Sequence, residues 1–102
     1  MEAIMVYITC KDEKEAKAIA TELLGKKLIA CANCSAHKSF YTWKGKLNED
    51  KEVALLAKTR KELFHKVTEE VRRLHSFELP CILSWEVQGD NDYLKWVEEE
   101  TQ

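Results

Sequence analysis

The sequence predicts an α+β fold: an antiparallel sheet with both main helices on one face and a third helix at the end. Three observations carry this. Ile4, Val6 and Ile8 alternate with Met5, Tyr7 and Thr9, and Leu83, Trp85 and Val87 alternate with Ile82, Ser84 and Glu86, which is the period of a strand. Two stripes, Ala16 to Leu24 and Leu63 to Leu74, instead repeat at helical spacing. Between them lie two strand-like stretches joined at Lys44-Gly45, where Gly45 can take the positive φ of a two-residue hairpin turn. The order strand, helix, strand, strand, helix, strand is the split βαβ arrangement.

Each element has its own signals. Ile4 to Thr9 carries few polar atoms on either side, so it reads as a strand buried on both faces. Asp12 and Glu15 have capping-box spacing, and acidic residues suit the first turn of a helix. Ala16, Ile19, Ala20, Leu23 and Leu24 then share one face, and Gly25 reads as the C-terminal stop. The hairpin runs from Leu28-Ile29-Ala30-Cys31-Ala32-Asn33 through Ser39-Phe40-Tyr41-Thr42-Trp43 and returns toward Val53-Ala54-Leu55-Leu56. Thr59 and Glu62 read as a second capping box, opening a helix with Leu63, Val67, Val71 and Leu74 in one stripe. Pro80 separates that helix from a strand over Cys81 to Val87. A last helix starts near Asp90 to Asp92 and is expected to bury Tyr93, Trp96 and Val97.

With 102 residues, 45% of them apolar, the chain suits one domain with a real core. A net charge of −2 and no lysine- or arginine-rich segment argue against nucleic acid as a partner. No basic start is followed by an apolar stretch, and no apolar run reaches membrane-spanning length, so a cytoplasmic protein with no membrane partner is the expectation. Four cysteines without an export signal read as free thiols or metal ligands rather than a disulfide framework. Phe40, Tyr41 and Trp43 lie on a hairpin longer than so small a chain can cover. Both faces of its strands carry apolar residues, which predicts contact with further copies.

Several segments, in order and spanning nearly the whole chain, carry a family resemblance. They are Val6-Tyr7-Ile8-Thr9-Cys10, Leu28-Ile29-Ala30-Cys31-Ala32-Asn33, Tyr41-Thr42-Trp43-Lys44-Gly45-Lys46, Lys58-Thr59, His75-Ser76-Phe77-Glu78-Leu79-Pro80 and Gly89-Asp90-Asn91-Asp92-Tyr93-Leu94-Lys95-Trp96. With these the chain resembles the CutA family, small proteins named for divalent-cation tolerance. The resemblance implies a ferredoxin-like subunit, a homotrimer built through the long hairpins in an architecture similar to PII signalling proteins, and binding of copper or another divalent metal. Ser76 and Cys81 stand where the family pattern usually has Pro and an acidic residue, and Ile8 where some relatives place a metal-site cysteine. Lys58, Tyr41, Trp43 and Glu78 match family positions near clefts between subunits, where a lysine beside aromatics and a carboxylate suits a small anionic ligand. The alternative is that the aromatics fill the subunit interface and Lys58 pairs with a carboxylate.

His75 closes the second main helix, where the dipole favours a cation and an imidazole can ligate metal. Cys81 follows six residues later and is the first choice of thiol partner. Cys10, at the end of the first strand, is the second choice, since the fourth strand of such a fold lies beside the first. Cys31, on the far edge, is the third. Thiolate and imidazole together suit Cu(I) or Zn(II); equally, free cysteines are often small buried hydrophobes. Cys31 and Cys34 are three apart on a strand, so they face opposite sides and do not chelate without a turn or bulge. His37 and His65 are expected to be exposed. No Ser-His-Asp set, phosphate loop or carboxylate pair is present, so the chain reads as a binding protein rather than an enzyme.

Overall fold

The computed structural model describes residues 1–102. Strand β1 (Ala3–Cys10) is followed by α1 (Glu13–Gly25), the long hairpin strands β2 (Cys31–Trp43) and β3 (Lys46–Arg60), α2 (Phe64–Leu74), β4 (Ile82–Val87) and α3 (Asn91–Glu100). The sheet order is β2-β3-β1-β4, antiparallel throughout, as the split βαβ reading requires. Ile4, Val6, Ile8 and Cys10 point toward the helices and join Ile19, Leu23, Val67 and Val71 in one core. Each fully buried branched side chain contributes about 1.5–3 kcal/mol, so this cluster dominates the stability of the subunit.

Tyr7 pairs with Leu56 on one side and Leu83 on the other, and Met5 with Lys58 and Trp85. Partners directly opposite share a face, so these side chains all lie on the side away from the core. That second face is only partly covered: Leu83 is 58% exposed and Trp85 48%. Beyond it the hairpin projects, giving the molecule extents of 45 × 24 × 21 Å. At its tip Lys44 has φ 52° and Gly45 φ 78°. Positive φ at both central residues is the type I′ turn that matches strand twist.

Four expectations are corrected. Thr59 is not a helix cap: it lies within β3, fully buried, and its hydroxyl donates to the Leu28 carbonyl at 2.7 Å. A single 3-10 turn, Lys61–Leu63, makes the transition into α2 instead. Gly25 is the last residue of α1 rather than its stop. The positive φ falls on Lys27 (58°), with Lys27 N donating to Leu24 O and Leu28 N to Leu23 O. That is a Schellman closure with Leu28 packed in the core beside Leu23, and the lysine occupies the place usually given to glycine. We expect Lys27→Gly to raise stability by about 1 kcal/mol, read from thermal unfolding, because it removes the left-handed strain at a side chain. An unchanged or lowered midpoint would mean that the gain in unfolded-chain entropy cancels the relief.

β2 begins at Cys31, not Leu28; Leu28, Ile29 and Ala30 are buried in the approach to it, and Ala30 N donates to Lys58 O. In α3 only Val97 is buried. Tyr93 and Trp96 stay 42% and 41% exposed, with their rings 5.6 Å apart. Their face is only partly covered within one subunit. No helix is long and apolar enough to cross a membrane.

Candidate functional site

The eight residues singled out in the sequence divide among three places. The first lies on the helix side, where β1 ends. Asp12 caps α1 by accepting from Glu15 N at 2.8 Å, which puts the Glu15 side chain over the end of β1. Glu15 reaches back one residue further than a capping box would, accepting from Lys11 N (3.0 Å) and, with its other oxygen, from Ser76 N (2.9 Å). His75 is the C-cap of α2, its backbone already extended (ψ 142°), so the chain turns and delivers the ring to the same spot. Ligand atoms of Cys10, Glu15 and His75 converge to within 4.8 Å.

The protons in this trio are assigned by its neighbours. The Thr9 carbonyl can only accept, so His75 Nε2 carries the hydrogen and donates to it at 2.7 Å. Nδ1 accepts from Phe77 N at 3.0 Å, and the Phe77 ring lies 4.8 Å from the imidazole. The His75 side chain is fully enclosed, with both nitrogens in use. Burial, then the nearby Glu15 carboxylate, pushes the Cys10 thiol up to about 12, so it stays protonated at neutral pH. Burial pushes Glu15 upward as well, but hydrogen bonds from Ser76 and Lys11 and the neighbouring His75 outweigh it and hold the carboxyl below its ordinary value.

The second place is a cleft of about 700 Å³ on the opposite side of the sheet, between the turn-proximal part of β2, Ser39 to Trp43, and the segment Ser76–Leu79. Tyr41, Trp43, Glu78 and Cys81 line it. Cys81 just precedes β4, and Thr9 N donates to its carbonyl at 3.4 Å, one step beyond the pair Ile8–Ile82. Strand alternation thus gives Cys81 the face of Thr9, opposite to Cys10, although the two are neighbours across the sheet. Burial and the Glu52 carboxylate raise the Cys81 thiol. Glu52 is 7% exposed and is held by the Ser39 hydroxyl (2.6 Å) and His37 Nε2 (3.3 Å). His37 is therefore half-buried rather than exposed, whereas His65 is exposed and pairs with Glu69. Ser39, His37 and Glu52 do not form a nucleophile set, because serine donates to the carboxylate and the same imidazole nitrogen meets both.

The third place joins Cys31 and Lys58, paired across β2 and β3. Lys58 donates to Asn33 Oδ1 and lies 3.7 Å from Cys31 Sγ. Burial, followed by Cys31, raises the Tyr93 phenol of α3, which reaches the same thiol. Lys58 is thus absent from the cleft lined by Tyr41, Trp43 and Glu78, and Cys31 from the trio at Cys10. Glu15 was not singled out as a site residue; its helix-cap spacing was visible, but its bond to Ser76 spans 61 positions in sequence.

Comparison with known proteins decides the family. The pattern of the CutA1 divalent ion tolerance proteins matches residues 4–100. The chain belongs to the CutA1 family. The divalent-cation tolerance protein CutA of Pyrococcus horikoshii is 44% identical over 100 residues, covering 97% of this chain and 98% of that protein. The CutA of Archaeoglobus fulgidus is 42% identical over 95 residues, covering 92% and 93%. Among solved structures, the periplasmic divalent cation tolerance protein CutA from A. fulgidus superposes with a TM-score of 0.96 at 40% identity, covering 98% of this chain and 99% of that one. CutA1 from P. horikoshii gives 0.93 at 42% identity, covering 97% and 98%. The α+β fold read from the sequence is therefore that of CutA1 structures, and the chain is a divalent-cation tolerance protein by family.

Proposed function

We propose that this CutA1-family chain acts as a homotrimer that binds copper or a similar divalent metal, with Cys10, Glu15 and His75 as the donors. The observation that carries the metal reading is the convergence of a sulfur, a carboxylate and an imidazole within 4.8 Å. The donor set suits a soft or borderline cation. Its hydrogen bonds set the terms: a ligand lone pair on His75 must be released from Phe77 N or Thr9 O, and the Cys10 proton must leave. Within this reading Cys10 replaces Cys81 as the first choice of thiol, since Cys81 faces the other side of the sheet.

Metal binding should therefore release a thiol proton and strengthen about tenfold for each pH unit between 7 and 9. Equilibrium dialysis of reduced, untagged protein measures this. Cys10→Ser should abolish the pH slope, while Cys31→Ser and Cys81→Ser should leave it. Binding that ignores Cys10→Ser would remove the trio from the reading.

The trimer is supported by the apolar surface: Phe40 is 68% exposed, Leu47 83% and Leu83 58%, while Trp43, Trp85 and Trp96 are each more than a third exposed. Large apolar side chains exposed in this number on so small a chain are normally covered by partner subunits. A reducing cytoplasm, which keeps all four thiols free, is the compartment this reading takes. A second reading, a small-ligand sensor, is favoured by the cleft beside Tyr41, Trp43 and Glu78, whose size is that of a metabolite site.

A further inference from the structure

Between the end of α2 and the start of β4, Ser76 to Pro80 form a strap in which no residue makes a backbone–backbone hydrogen bond. Two of its amides are held by side chains instead. Ser76 N donates to Glu15 Oε2 at 2.9 Å and Phe77 N to His75 Nδ1 at 3.0 Å. Both acceptors belong to the trio with Cys10. The strap's ion pair, Glu78 with Lys44 at 4.0 Å, is exposed on both sides and adds little. The side chains that fasten the strap are therefore two of the three that would hold a metal.

The imidazole cannot serve both. A neutral histidine has one ring proton and one ring lone pair. Here the proton sits on Nε2, pointing at the Thr9 carbonyl, and the Nδ1 lone pair receives the Phe77 amide. If Nδ1 ligates, its lone pair goes to the metal and Phe77 N loses its acceptor. If Nε2 ligates instead, which lies 3.9 Å from Glu15 Oε1, the ring proton moves to Nδ1 and meets the Phe77 N–H donor to donor. Phe77 is released on either route. Glu15 behaves differently. Its Oε1 faces the imidazole while Ser76 is bound to Oε2, and a carboxylate has lone pairs for both, so the Ser76 bond survives ligation.

We propose that metal bound at the trio and closure of the strap at Phe77 exclude one another, so that loading releases the strap from Phe77 onward with Ser76 as the pivot. This deepens the metal reading given above and rests on it. The coupling is reciprocal: whatever holds the strap closed weakens the metal by the same factor. A thiol and an imidazole that are fully enclosed thereby gain a link to residues outside the core.

The test titrates Zn(II), which is diamagnetic, into reduced, isotope-labelled whole protein and follows the amides by NMR. At saturation the Phe77 signal should move and its hydrogen exchange should speed up about tenfold or more, while Ser76 keeps its protection. Phe77→Gly keeps the amide but loosens the strap. It should tighten zinc about threefold, and before zinc is added it should speed exchange at position 77 by the same factor. A zinc site that is lost in Cys10→Ser but leaves the Phe77 amide protected, or Phe77→Gly weakening zinc, would overturn the strap proposal and leave the metal reading standing. Zinc that ignores Cys10→Ser, or does not bind, would remove the trio as a metal site and the strap proposal with it.

Discussion

Replacing His75 by alanine should destabilise the protein by about 3–5 kcal/mol, a large share of a small domain's stability. The ring is enclosed, and its removal leaves the Thr9 carbonyl and the Phe77 amide without partners as well as opening space beside Phe77. Each orphaned buried group costs about 1–3 kcal/mol. The loss joins three elements at once, since the imidazole ties the end of β1 to the segment after α2, and Glu15 binds the same segment through Ser76. Urea unfolding monitored by circular dichroism measures it. An alanine variant within about 1 kcal/mol of the parent would mean that water has taken over both hydrogen bonds.

Trp43→Ala should weaken assembly by about 3–5 kcal/mol per subunit. In the isolated subunit the indole is 38% exposed, so more than a third of it is still available to a neighbour. Sedimentation at low micromolar concentration should show the variant dissociating where the parent remains associated. An assembly of unchanged size and thermal midpoint would place the ring at the edge of the interface.

The fold was legible because its signals are local. Strand period, helical stripe and the Lys44-Gly45 turn each lie within a dozen residues, and the two edge strands follow from the topology they imply. The misreadings arose where distant residues override local pattern. Thr59 has the spacing of a cap, yet a carbonyl 31 positions away claims its hydroxyl and β3 continues through it. Gly25 looked like the stop, but the Leu23–Leu28 contact draws the left-handed residue two places on, to Lys27. At the site, His75 and Cys10 could be named from residue type, whereas Glu15 could not. The separation of Cys81 from Cys10 depends on a one-residue register between β1 and β4, which no local feature of either strand specifies.

The hairpin divides the molecule into ends that respond to different variables. Its thirteen pairs start from a two-residue turn, so each pairing closes only a slightly larger loop than the last and the ribbon can zip early. Yet no residue from Cys31 to Lys51 is buried within the subunit, and a two-stranded ribbon alone is marginal in water. With the assembly proposed above, the order of this end depends on protein concentration through its neighbours. The helix-covered end, with its continuous core, answers to temperature and denaturant. Dilution would therefore fray the ribbon while leaving the core folded, so the molecule has no single stability that describes both.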